Sequence, residues 1–172
     1  MILIGLGANM PHPDHGDPLN TLTEVVRRLR KIADISRQSS WYRSAPVPAS
    51  DQPWFVNAVL SVETELPAPE LLNLLHGVER EFGRIRRQKW EPRVLDVDLL
   101  TYRDLVTVNQ DQRAGPVLPH PYMHERAFVL APIAEIAPEW RHPVSKLQAT
   151  ELLEMLSSDQ PFDIVGVDDF SA

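Results

Sequence analysis

The chain reads as an α+β sandwich, an antiparallel sheet with two helices laid against one of its faces. Three observations lead there. Stretches of alternating apolar residues and stretches with apolar residues three and four apart follow one another in the order βαββαβ up to Tyr102. There is no run of repeated βα units, which a parallel sheet would show. The helical stretches are apolar along one stripe only, so each has a single face to bury. That order is the ferredoxin-like arrangement, and the rest of the chain extends it at the C-terminus.

The first strand covers residues 2–9. Ile2, Ile4, Leu6 and Ala8 point one way and Leu3, Gly5, Gly7 and Asn9 the other. Asp17-Pro18 is a helix N-cap followed by proline at the first helical position. Leu19, Leu22, Val25, Val26, Leu29 and Ile32 then carry a helix over 18–33. Arg27, Arg28, Arg30 and Lys31 form its solvated outer face. A strand over Ile35–Arg43 ends in the loop 44–53, whose three prolines make it stiff. Residues 54–65 alternate again, with Trp54, Val56, Ala58, Leu60 and Val62 on one face and Phe55, Asn57, Val59 and Ser61 opposite. A helix from Pro69 to Phe82 stops at Gly83, and Val94–Tyr102 is a fourth strand. In it Leu95, Val97 and Leu99 oppose Val94, Asp96, Asp98 and Leu100.

The helices are expected to cover the apolar face of this sheet. The opposite face then carries Gly5, Gly7, Asn9, Phe55, Asn57, Asp96 and Asp98, which makes it a solvated surface or a ligand floor. Beyond it, Asp104–Val117 reads as a hairpin, His124–Ile136 as a helix and Lys146–Leu156 as a short helix before an acidic tail. No repeat or flexible linker interrupts the chain, so residues 1–172 are expected to form one domain, with the tail from about 145 unassigned.

Composition narrows the function. With 43% hydrophobic and 24% charged residues the chain is that of a soluble globular protein. Its lack of cysteine excludes disulfides, thiolate zinc sites and cysteine nucleophiles, and fits a cytoplasmic location. MILIGLGANM is too short and lacks the basic leader of a signal or membrane segment. A net charge of −7 disfavours nucleic acid and anionic membranes as partners, so an anionic ligand needs a local cationic patch.

Arg84, Arg86, Arg87, Lys89 and Arg93 supply that patch immediately before the fourth strand. Asp96 and Asp98, two residues apart on a strand, project to one side with Cα atoms roughly 6–7 Å apart. A bare D-x-D pair is as well explained by two solvated aspartates. Beside five cations and Glu91 it reads better as a place where magnesium meets a nucleotide polyphosphate, since magnesium takes one or two carboxylates and completes its shell with water and phosphate oxygens. Arginines grip phosphate oxygens bidentately. Gly5-x-Gly7 is only a fragment of a glycine motif, and no Walker A, Rossmann, zinc-protease or nucleophile-elbow signature occurs. Phe55 and Asn57 suit the face and edge of a heterocycle, with core packing and backbone capping as the plain alternatives. His120 and Phe128 belong to a second polar–aromatic cluster, where Phe128 serves equally as a core contact of its helix.

Taken together these segments resemble the 6-hydroxymethyl-7,8-dihydropterin pyrophosphokinase family of folate biosynthesis. The resemblance runs to about residue 140 through Gly5-Leu6-Gly7-Ala8-Asn9, Tyr42-Arg43-Ser44, Asp51-Gln52-Pro53 with Phe55 and Asn57, and Glu79 ahead of Gly83-Arg84. It continues through Trp90-x-Pro92-Arg93-x-Leu95-Asp96-x-Asp98, Leu118-Pro119-His120-Pro121 and Arg126-x-Phe128. It implies pyrophosphate transfer from ATP to the hydroxymethyl group of 6-hydroxymethyl-7,8-dihydropterin, releasing AMP. It also implies two magnesium ions on Asp96 and Asp98, with Arg84 and Arg93 catalytic beside them. Ser44, Val47, Phe55, Asn57, Trp90 and Phe128 would bind the pterin. Glu79, Arg84, Arg86, Trp90, Arg93, Leu99, His120 and Arg126 would bind ATP. A monomer is expected. Pro121 departs from members with tyrosine there. No general base stands out, and His120 suits a phosphate donor better. The alternative from another class is a non-catalytic ferredoxin-like module that binds a nucleotide without turning it over.

Overall fold

The computed structural model describes residues 1–83, 94–107, 115–156 and 159–165. Its first strand, β1 (Ile2–Ala8), leads to α1 (Pro18–Leu29), where the Asp17 carboxylate accepts the Asn20 N–H at 2.9 Å. That cap satisfies one of the donors a helix start leaves open. The helix ends short of the expected residue 33. Lys31 and Ile32 donate three residues back, to Arg28 and Leu29, and the last turn tightens out of α geometry.

The expected strand over 35–43 is two strands, β2 (Asp34–Gln38) and β3 (Tyr42–Ser44), both antiparallel to β4 (Phe55–Glu63). Gln38 pairs with Leu60 and Tyr42 with Asn57, so four steps on one side meet three on the other. Such a mismatch forces a bulge. Ser39 fills it: its N–H donates to the Val59 carbonyl and its hydroxyl accepts the Val59 N–H, each at 3.0 Å.

α2 (Ala68–Glu81) ends before Gly83, whose φ of +76° is the left-handed value that follows many helices. β5 (Asp96–Tyr102) then pairs with β1. The sheet runs β5-β1-β4-β3-β6, with β2 also against β4. With β2 and β3 counted as the one strand the pattern predicts, the order is fourth-first-third-second, as in a ferredoxin-like sheet. The face toward α1 and α2 is apolar as expected. Ile4, Leu6, Leu60 and Val97 pack there against Leu22, Val25, Leu71 and Leu75.

The second face is not wholly open, which corrects the two-layer expectation. A 3-10 turn (Met123–Glu125), α3 (Ala127–Ile136) and α4 (Ala149–Glu154) cover the half of it that carries Leu3, Val59 and Leu100. α3 is apolar on all sides except at Glu135, so it needs a second apolar surface, and those three residues provide one. The helix expected over 124–136 is broken at Arg126, which is extended (φ −123°, ψ 109°).

The expected hairpin over 104–117 lies partly outside the described residues. Within them no strand forms, and the two arms meet where Thr107 and Leu118 exchange hydrogen bonds of 2.8 and 2.9 Å. β6 (Phe162–Ile164), in the unassigned tail, adds to the free edge of β3. No helix among the described residues is long and apolar enough to cross a membrane.

Candidate functional site

The half of the second face that none of the described helices covers is organised by register. Asp96 stands opposite Gly7, Gly7 opposite Asn57 and Asn57 opposite Tyr42, while Asp98 stands opposite Gly5. Residues directly opposite in an antiparallel pair share a face. The predicted carboxylate and the predicted heterocycle-reading amide therefore lie on one line across three strands. Gly7 makes that line possible. A Cβ there would sit 3.2 Å from the Asn57 Oδ1 and 4.0 Å from the Asp96 Cβ. At Gly5 it would instead meet the Leu100 side chain at 3.3 Å.

Asn57 is buried, and its Nδ2 donates to the Ser44 hydroxyl at 2.9 Å. Its amide is thus held by another side chain of the face, not used to cap the backbone. Ser44 stands opposite Phe55, which is half-buried at the start of β4. Val47, in the proline loop, is half-buried as well. Asn9 ties this loop to the end of β1, donating from Nδ2 to the Gln52 Oε1 and the Pro53 carbonyl, each at 3.2 Å.

The opposite corner holds His120, Arg126 and Phe128. The His120 N–H donates to the Leu100 carbonyl at 2.8 Å, which fastens the histidine beside β5. The Arg126 guanidinium lies 5.7 Å from the Phe128 ring centre and 5.4 Å from that of Tyr122. Phe128 also packs on the core under α3. Burial pushes His120 down to about 4, and Arg126 adds to this while Asp96 opposes it. The ring is neutral at neutral pH. Its Nδ1 accepts the Tyr122 N–H at 3.3 Å, so the proton sits on Nε2 and that atom is a donor.

Two of the residues expected to bind nucleotide sit toward the helical layer. The Leu99 side chain is buried in the core toward α1 and α2. Glu79 is buried on α2, and its Oε1 accepts the Val97 N–H at 2.9 Å. Glu79 thereby holds β5 from the helix side. Arg84, Arg86, Arg87, Lys89, Trp90, Glu91 and Arg93 lie outside the described residues. Sequence reasoning missed Tyr122, whose only signal was an aromatic ring two places after His120. No motif pointed to Phe162 either, which pairs with Ser44 and whose ring centre lies 6.0 Å from that of Tyr42.

Asp96 and Asp98 are half-buried, hard oxygen donors on one face with glycines opposite, a donor set suited to magnesium. Among the described residues no group of three or more His, Cys, Asp or Glu is gathered as a cage.

Paired carboxylates aligned with a buried amide, beside the Arg126 guanidinium, suit an enzyme that transfers a phosphate group from a nucleotide. More narrowly, the family described as 7,8-dihydro-6-hydroxymethylpterin-pyrophosphokinase matches residues 3–138, and the chain belongs to it. The chain is 40% identical over 156 residues to a 2-amino-4-hydroxy-6-hydroxymethyldihydropteridine pyrophosphokinase of Synechocystis, covering 90% of this chain and 75% of that one. To the Haemophilus influenzae protein of the same description it is 35% identical, covering 90% and 91%. Among solved structures it resembles Plasmodium falciparum HPPK-DHPS with a TM-score of 0.67 and 12% identity, over 89% of this chain. It spans 44% of the length of that solved chain, and the likeness is one of fold.

Proposed function

We propose that the open half of the second sheet face is where this chain carries out its family's reaction, with ATP at the Asp96–Asp98 side and the pterin at the Asn57 side. As a member of that family the chain transfers pyrophosphate from ATP to the hydroxymethyl group of 6-hydroxymethyl-7,8-dihydropterin in folate synthesis. The observation that carries the placement is the cross-strand line Asp96–Gly7–Asn57. It brings a cation ligand and a heterocycle-reading amide within one substrate's reach.

In this reading the hydroxymethyl oxygen attacks the β-phosphorus, the bond from that phosphorus to the α-phosphate oxygen breaks, and AMP leaves as the hydroxyl proton is lost. Asp96 and Asp98 would hold magnesium, which supplies charge neutralisation across the phosphates. Arg126 supplies a fixed positive charge near the departing phosphate, and His120 Nε2 donates a hydrogen bond without changing its own charge. Asn57 uses one Nδ2 hydrogen on Ser44, leaving Oδ1 and a second hydrogen for the pterin edge. Phe55 and Phe128 offer ring faces from β4 and α3. Positioning and electrostatics therefore supply most of the rate, with little covalent work asked of the protein.

Arg84, Arg86, Arg93 and Trp90 join the nucleotide side on the strength of the family resemblance. Two magnesium ions, a monomeric state and a cytoplasmic location belong to the same proposal. The test is the nucleotide product formed from ATP, magnesium and hydroxymethyldihydropterin. AMP is expected, and ADP with a monophosphorylated pterin would overturn the reading.

A further inference from the structure

The C-terminal segment around β6 is unabsorbed by the proposed chemistry, yet it touches both halves of the site. On one side it is part of the sheet: Phe162 pairs with Ser44 and Ile164 with Tyr42. Ala45 donates to the Pro161 carbonyl at 3.2 Å and Val165 to the Trp41 carbonyl at 2.8 Å. On the other side Gln160 reaches the start of α3. Its Oε1 accepts the Ala127 N–H and its Nε2 donates to the Glu125 carbonyl, each at 2.9 Å.

Those two bonds bracket Arg126. This residue is extended, it ends the 3-10 turn, and its own side chain does not cap α3. A helix start leaves its first N–H groups in need of partners, and here the partner comes from the far end of the chain. The opposite end of α3 is also tied to the β3 region. Glu135 accepts the Ser40 N–H and hydroxyl at 2.9 and 2.8 Å and the Tyr42 hydroxyl at 2.9 Å. α3 itself is seated by Leu130 and Ile133, both fully buried. The body of the helix therefore stays docked without Gln160, whereas its first turn, which carries Phe128 next to Arg126, loses the tie that Gln160 makes toward Ser44.

We propose that Gln160 is a positioning residue for the reaction: it strings the Arg126–Phe128 corner to the Ser44–Asn57 edge and so sets the width of the pterin slot. The proposal rests on the assignment of Phe128 and Asn57 to pterin binding. It requires that the tail from Gln160 to Ile164 works with the site, although the family match ends at residue 138.

The experiment measures hydroxymethyldihydropterin binding to the full chain with magnesium and a non-hydrolysable α,β-methylene ATP analogue. The variants are Gln160→Ala, Gln160→Glu, Phe128→Ala and the double Gln160→Ala/Phe128→Ala. Gln160→Ala is expected to weaken pterin binding about tenfold, the upper part of the range for losing a helix cap. Gln160→Glu keeps the acceptor for Ala127 but sets a carboxylate oxygen against the Glu125 carbonyl, so it recovers only part of that loss. In the Phe128→Ala background, removing Gln160 costs at most about twofold, because its effect passes through that ring. A role in stability alone would lower the urea midpoint while leaving these ratios at one, and would overturn the proposal. Gln160→Met, which keeps length and loses both bonds, replaces Gln160→Ala where the latter does not fold. If Phe128→Ala binds pterin as well as the parent, the site assignment itself falls. If Phe128→Ala weakens binding and neither Gln160→Ala nor Gln160→Met does, only the role of Gln160 falls.

Discussion

Gly7→Ala separates the needs of the fold from those of the site. The added methyl would stand 3.2 Å from the Asn57 Oδ1, closer than carbon and oxygen ordinarily approach, and 4.0 Å from the Asp96 Cβ. Relief requires the amide to move by a few tenths of an ångström. The bond from Asn57 Nδ2 to Ser44, at 2.9 Å, stretches or turns as it does so. For stability the effects offset one another. Alanine gains roughly 0.5–1 kcal/mol over glycine in an extended segment, and the strain is of similar size. The unfolding free energy should stay within about 1 kcal/mol of the parent.

Activity has no such compensation. The methyl occupies the floor between the proposed cation ligand Asp96 and the Asn57 amide, and a misplacement approaching an ångström can cost about a hundredfold in rate. We expect kcat/KM for AMP release to fall about tenfold, less than that limit because the displacement is a few tenths of an ångström, while the unfolding free energy stays within about 1 kcal/mol of the parent. Gly5→Ala provides the contrast. Its methyl would press on Leu100 in the core under α3, which costs about 1–3 kcal/mol of stability and leaves turnover closer to the parent. A Gly7→Ala enzyme with kcat/KM within about twofold of the parent would refute the placement of the site on this line.

Three further outcomes follow from named contacts. Asp98→Asn and Asp96→Asn should each lower kcat about a hundredfold or more with an unaltered circular dichroism spectrum, and undiminished AMP production would remove the residue from the cation site. Glu79→Leu strands the buried Val97 N–H and should cost about 1–3 kcal/mol by urea denaturation, whereas Glu79→Gln, which keeps an acceptor, should cost less; equal costs would contradict the bond's role. His120 has a folded value of about 4 against an ordinary 6.5, so between these the unfolded chain binds a proton that the folded chain does not. Its contribution is full above about pH 6.5 and is lost as pH falls toward 4. His120→Asn should therefore flatten the decline of the urea midpoint over that interval, and parallel slopes for the two proteins would count against a buried neutral histidine.

Period-two alternation placed the side chains of β1, β4 and β5 on their correct faces because each strand buries one side completely. Ile4 and Leu6 face α1 and α2, while Leu3, on the other side of β1, faces α3. Alternation could not show the break after Gln38, because Ser39 is compatible with a strand and acts there through its hydroxyl. The carboxylates, the amide and the arginine–phenylalanine corner were all visible as residue types. Their alignment was not, since it depends on the pairing of Gly7 with both Asp96 and Asn57, two partners that lie 39 positions apart in the chain. Strand parity sends the Leu99 side chain into the core and the geometry of α2 puts Glu79 beneath β5, placements that residue type alone does not show.

The third layer is legible in the composition of one helix. Residues 127–136 contain a single charged side chain, Glu135, and a helix apolar on nearly every side needs cover on more than one. Such a helix cannot lie on the surface of a two-layer sandwich with its outer face in water. It must roof the second face, and it can roof only the part of that face that is itself apolar, which is Leu3, Val59 and Leu100. The glycines and aspartates at the other end of the same strands are left uncovered by that same constraint. The extent of the ligand floor is thus set where the apolar residues of β1, β4 and β5 stop. Glu135, the one charge α3 carries, falls where three donors of Ser40 and Tyr42 converge, so the roof is registered on β3 as well as packed on the sheet.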